Sequence, residues 1–157
     1  GKGAKLRELI STDANFRVLL RREITCSDSK CKHTRSMKEK HVDLSLSVPD
    51  DDAIECAVAD LLESFFVDSI VECKCEECGG GKAMVKLSLK QLPRFLVIHL
   101  KRFRLNESGS QYDKLNSAVK VSRTLDLQPF CTPNTRVIPL VHESSRLRRK
   151  LAGSGGG

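Results

Sequence analysis

Tryptophan is absent, tyrosine occurs once, and aromatic residues make up only 4% of the 157 residues. That scarcity argues against a single-strand nucleic-acid binder, whose bases need aromatic faces to stack on. No stretch approaches the roughly 20 consecutive apolar residues of a membrane-spanning helix, so no membrane segment is expected. Nor does the start of the chain carry the apolar run of a secretory signal. Together with an odd count of seven cysteines, this argues against a disulfide framework and for a reducing compartment, cytoplasmic or nuclear. With 39% hydrophobic and 30% charged residues, the composition suits one modest core on a charged surface, and a monomer is expected. The net charge is +7, but much of the excess sits in Lys2, Lys5 and Arg7 at one end and Arg146, Arg148, Arg149 and Lys150 at the other. Solvated tails explain that distribution more simply than nucleic acid does.

What the chain does hold is thiols in pairs. Cys26 and Cys31 lie in ITCSDSKCKH, and Cys75 and Cys78 in VECKCEECGGGK. Each pair ends an apolar run and sits beside glycine or lysine, the turn chemistry that lets sulfurs converge on one ion. Four thiolates from two distant turns fit structural zinc, which takes a closed tetrahedron with Zn–S near 2.3 Å and leaves no position open for substrate. In CKCEEC either Cys73 or Cys75 can begin the second knuckle; Cys75 makes the regular C-x-x-C and is preferred. His33 is an alternative fourth ligand. Cys56 and Cys131 lie away from both knuckles and read as small apolar filler.

Alternation places the main strands. Phe16, Val18, Leu20 and Ile24 lead toward Cys26, Val42 to Val48 alternate with Asp43, Ser45 and Ser47 until Pro49, and Val85, Leu87 and Leu89 alternate with lysine and serine. Ile54, Ala57, Val58, Leu61, Leu62 and Phe65 follow the stripe of an amphipathic helix, with Asp52 and Glu55 as its capping pair and Phe65 and Phe66 as core anchors. RFLVIHLKRF starts apolar on both faces, as a strand in the middle of a core would. A last strand is expected around Val119, Val121, Leu125 and Leu127. Residues 153–157, GSGGG, read as a flexible tail.

Taken in order, ITCSDSKCKH, HVDLSLSVP, the helix ending LLESFF, CEECGGGKAMVKLSLKQLPRFLVIHLKRF and KLNSAVKVSRTLDLQPFC resemble the ubiquitin-specific proteases. The resemblance covers roughly residues 15 to 131, and its most specific parts are the LPRFLVIHLKRF stretch and the two knuckles. It implies an α+β fold: an antiparallel β zinc ribbon, the fingers, joined to part of a papain-like palm, with residues 1–152 forming a partial catalytic domain. It implies ubiquitin as partner and one structural Zn2+ on Cys26, Cys31, Cys75 and Cys78. The family's nucleophile stands in a G-x-T-C box and its base in a G-H-Y context, and neither is present. His142 lacks that context, and His99 is read as a strand residue satisfied by its neighbours. A thiol protease needs both partners of the cysteine–imidazole pair. The expectation is therefore a central piece of a deubiquitinase, inactive alone; the alternative is an inactive zinc-ribbon binding module or scaffold.

Overall fold

The computed structural model describes residues 15–50 and 54–138. The expected tail at 153–157, His142, and Asp52 of the expected helix cap lie outside them. β1 (Val18–Cys26) and β2 (Thr34–His41) form an antiparallel pair around the first knuckle, from Val18 opposite His41 to Thr25 opposite Thr34. β3 (Leu44–Ser47) follows, then the two residues of β4 (Cys56–Ala57), helix α1 (Val58–Phe66) and β5 (Ser69–Glu72). β6 (Lys82–Leu92) is the longest strand and the spine of the molecule. It pairs antiparallel with β1 on one edge, and on the other with β5 near the knuckles and, in parallel, with β11 (Cys131–Val137) further on. The result is a five-stranded sheet in the order β11-β6-β1-β2, with β5 also on β6. β7 (Ile98–Lys101) pairs in parallel with β3, β8 (Phe103–Leu105) and β9 (Tyr112–Lys114) make a hairpin, and β10 (Val119–Lys120) pairs in parallel with β4.

The core gathers where alternation puts aliphatic side chains on one side. Val18 and Leu20 of β1, Leu44 and Leu46 of β3 and Leu89 of β6 are almost fully buried, and α1 lays Val58, Leu61, Leu62 and Phe66 over them. Phe66 stacks on Phe130 at 4.7 Å, tying the helix to the 3-10 turn before β11. The sheet continues beyond this core toward the knuckles, where fewer of its residues are buried. Among the described residues no helix is long and apolar enough to cross a membrane.

Several expectations change. The helix starts at Val58, because Cys56 and Ala57 are held as a strand by Val119 and Lys120. Its cap is the Asp60 carboxylate, which accepts a 2.7 Å hydrogen bond from the Ala57 N–H, in place of the expected Glu55. Ile54 is exposed, and Phe66 is the buried anchor while Phe65 is partly covered. The LVIHLK strand is not in mid-core: β7 has four residues, and Phe95 and Val97 before it are exposed. β10 is two residues long with Val121 exposed. β2, β5, the β8–β9 hairpin and β11 add to the strands that alternation marks.

Candidate metal centre

β1 delivers Cys26 to a turn built by Asp28. Its carboxylate accepts hydrogen bonds from the backbone N–H groups of Lys30 at 2.8 Å and Cys31 at 3.2 Å, an Asx turn that curls Cys31 back toward Cys26. Lys32 takes a left-handed φ of 52°, and the Cys26 N–H donates to the His33 carbonyl at 2.8 Å to close the loop. The second knuckle closes in the same way. The Gly79 N–H donates to the Cys75 carbonyl at 2.9 Å, and the Cys75 N–H to the Gly80 carbonyl at 2.8 Å. Gly79 has φ +74°, open to glycine without strain. Register joins the two knuckles: Cys26 stands opposite Ala83 on β6, and the Ser27 N–H donates to the Lys82 carbonyl at 3.0 Å.

The four sulfurs of Cys26, Cys31, Cys75 and Cys78 therefore lie within 4.8 Å of one another. Cys26 Sγ is 3.6 Å from Cys78 Sγ and Cys31 Sγ is 3.7 Å from Cys75 Sγ. Those separations exclude S–S bonds, which are about 2.05 Å. They match the edge of a tetrahedron whose centre lies 2.3 Å from each sulfur, about 3.8 Å. Gly80 completes the cradle: its N–H donates to Cys78 Sγ at 3.4 Å, and a Cβ there would lie 3.2 Å from that sulfur and 3.5 Å from Cys26 Sγ. The donor set and spacing fit a soft divalent ion in a closed four-sulfur site.

The thiols differ in acidity. The Cys78 and Glu77 backbone N–H groups point at Cys75 and pull its thiol down to about 7. At Cys31 the His33 backbone favours the thiolate, but desolvation and the neighbouring sulfurs outweigh it and push the thiol up to about 12. At Cys26 the Asp28 backbone acts downward, yet burial and the Cys78 and Cys75 sulfurs raise it. Without an ion the four cannot all be thiolates, so metal entry must release protons.

Cys73 lies outside the group of four, with its sulfur 3.8 Å from the Arg35 guanidinium, and His33 meets the site through its backbone. Cys56 is buried in the core, and half-buried Cys131 donates its thiol proton to the Leu127 carbonyl at 3.2 Å. His99 Nδ1 lies 3.1 Å from Ser45 Oγ, which donates to Asp43, so it is a strand residue with a neighbour. The residues that sequence reasoning passed over are Asp28 and Gly80. The Asp two residues after a cysteine is a legible turn signal; Gly80's approach to sulfur is a tertiary fact.

Residues 5–139 match the family described as ubiquitin carboxyl-terminal hydrolase. The chain belongs to that family. It is 32% identical over 126 residues to ubiquitin carboxyl-terminal hydrolase 37 of Gallus gallus, a match covering 79% of this chain and 13% of the relative. It is 30% identical over 124 residues to ubiquitin carboxyl-terminal hydrolase 2 of Homo sapiens, covering 74% and 20%. The fold is similar to the SAGA Ubp8/Sgf11/Sus1/Sgf73 DUB module bound to ubiquitin aldehyde, with TM-score 0.64, 25% identity, and coverage of 76% of this chain and 26% of that one. A yeast SAGA DUB module with a mutant Sgf73 gives TM-score 0.65 at 26% identity, covering 76% and 27%. This is a ubiquitin-specific protease domain of mixed α+β structure, mostly sheet, and the chain spans about an eighth of the length of the hydrolase 37 relatives.

Proposed function

We propose that this chain is the fingers and adjoining palm of a deubiquitinating thiol protease, gripping the globular body of ubiquitin while residues outside it supply nucleophile and base. The whole enzyme would hydrolyse ubiquitin isopeptide bonds. The observation that carries this reading is the four-sulfur cluster at the tip of an antiparallel ribbon, in a chain whose family match runs through both knuckles and the palm strands. Cys26, Cys31, Cys75 and Cys78 would hold one zinc ion, which supplies no chemistry to the reaction and fixes the two turns against each other. The chain's own work is then mechanical: β6 carries the orientation of the knuckles into the core through Leu89. The fold neighbour bound to ubiquitin aldehyde supports ubiquitin as the partner. The absence of G-x-T-C and G-H-Y boxes supports a piece without activity of its own, and the free thiols fit a cytoplasmic or nuclear location.

Two measurements test it. Labelled ubiquitin should bind the zinc-loaded chain weakly and with little salt dependence, because fingers and partial palm alone would bury less than the roughly 1,200–2,000 Å² of a standard interface. A ubiquitin probe with an electrophilic C-terminus should leave all seven cysteines unlabelled. Specific labelling of one thiol, or no ubiquitin binding at any concentration, would sink the reading.

A further inference from the structure

The side of the sheet opposite α1 carries a pattern that the ubiquitin reading does not use. Directly opposed residues share a side, and alternate rows share it in turn. The register therefore places Lys40 beside Leu19, Lys38 beside Arg21 and Ser88, and Ser36 beside Glu23 and Lys86 on one side. The next row toward the knuckles, Thr34, Thr25, Met84 and Ile70, lies on that side too. Arg21 is neutralised by Glu23 at 2.8 Å, whereas exposed Lys38, Lys40 and Lys86 have no ion pair among the described residues. Ser88, only 9% exposed, has a buried hydroxyl with no hydrogen-bond partner there. A buried hydroxyl left unmatched is costly and uncommon. Beyond the cations, cross-strand neighbours Met84 and Ile70 are 45% and 68% exposed.

We propose that this side of β2, β1 and β6 is a docking surface for an acidic polypeptide segment carrying one apolar side chain. Carboxylates would lie over Lys38, Lys40 and Lys86, and the apolar residue against Met84 and Ile70. Neighbouring rows on one side of a sheet lie about 7 Å apart, so the four rows from Lys40 to Met84 extend about 20 Å, the length of roughly six or seven residues of an extended partner. Charge complementarity selects an anionic partner, and the apolar pair selects a polypeptide. Lysines alone would also attract the phosphates of a nucleic acid, but these rows hold no aromatic residue and one arginine already paired, and the exposed Met84 and Ile70 beside them match an apolar side chain rather than a phosphate backbone. Lys38 and Lys40 also blunt the free edge of β2 against strand-to-strand association, a role that needs neither Lys86 on β6 nor the exposed apolar pair.

The test uses the zinc-loaded chain and a fluorescent oligoglutamate peptide, with and without one internal leucine. The leucine peptide should bind, and Lys38→Glu/Lys86→Glu should weaken it about tenfold or more, since opposed charges at an interface become like charges. Met84→Ser should weaken the leucine peptide and leave the plain one unchanged. Unaltered zinc content certifies that a variant is folded, and Lys38→Gln/Lys86→Gln replaces the charge reversal if that variant misfolds. Equal binding by wild type and both double variants, or no leucine effect, overturns the proposal. So does tighter binding of a short duplex DNA lost in the same variants, or displacement of the peptide by ubiquitin, which would make this side part of the ubiquitin grip.

Discussion

Cys75 and Cys73 are two residues apart and chemically identical, yet the fold treats them differently. Cys75 turns inward with two backbone N–H groups on its sulfur, whereas Cys73 faces Arg35. Cys75→Ser should bring zinc to well below one ion per chain by elemental analysis, and Cys73→Ser should leave it at one; the reverse result would move the ligand. Gly80→Ala should retain zinc but lose about tenfold in affinity in a chelator competition, the scale of effect for groups that orient ligands. Full wild-type affinity in that variant would mean the sulfurs yield to the added methyl without strain. The knuckles were legible because turn chemistry is local: C-x-x-C-G and C-S-D carry their own bends. The role of Gly80 was not, because the second sulfur it touches comes from 54 residues away.

Elements were legible in proportion to how one-sided their surroundings are. The apolar stripe from Val58 to Phe66 marks α1 because a single face meets the core, but its first turn was misplaced because β10, distant in sequence, claims Cys56 and Ala57. β2, TRSMKEKH, shows no alternation since nearly all of it is exposed. The apolar run of Phe95 to Ile98 suggested a central strand, and its first residues face solvent instead. Asp60→Ala should destabilise by about 1 kcal/mol in urea titration, the usual worth of a helix-start hydrogen bond. Arg22 and Glu39 join β1 to β2 diagonally, and the guanidinium holds the Glu39 carboxyl below the ordinary glutamate range. A lowered folded value means the pair stabilises above that range and loses its effect as pH falls through the folded value. The gap in urea midpoint between wild type and Glu39→Gln should therefore be larger at neutral pH than in strong acid, though below about 1 kcal/mol because both groups remain partly solvated. A gap independent of pH would show the ion pair to be idle.

For the molecule as a whole, burial is concentrated at the α1 end and thins toward the knuckles, so the ion should matter most where the core matters least. Chelation should speed amide hydrogen exchange at Ile24, Cys26 and Ala83 while Leu20 and Leu89 stay protected longer; uniform loss of protection would mean that metal and core form one cooperative unit. The knuckles also meet across long stretches of chain, with 44 residues separating Cys31 from Cys75 and 52 separating Cys26 from Cys78. Closing such a loop has an entropic cost before any contact at the tip forms. In kinetic terms the ion should enter late: β1, β6 and α1 must first assemble the core that brings both turns within reach. Zinc should then slow unfolding far more than it speeds folding, so that the fingers, once loaded, are held by a slow exit rather than by a fast assembly.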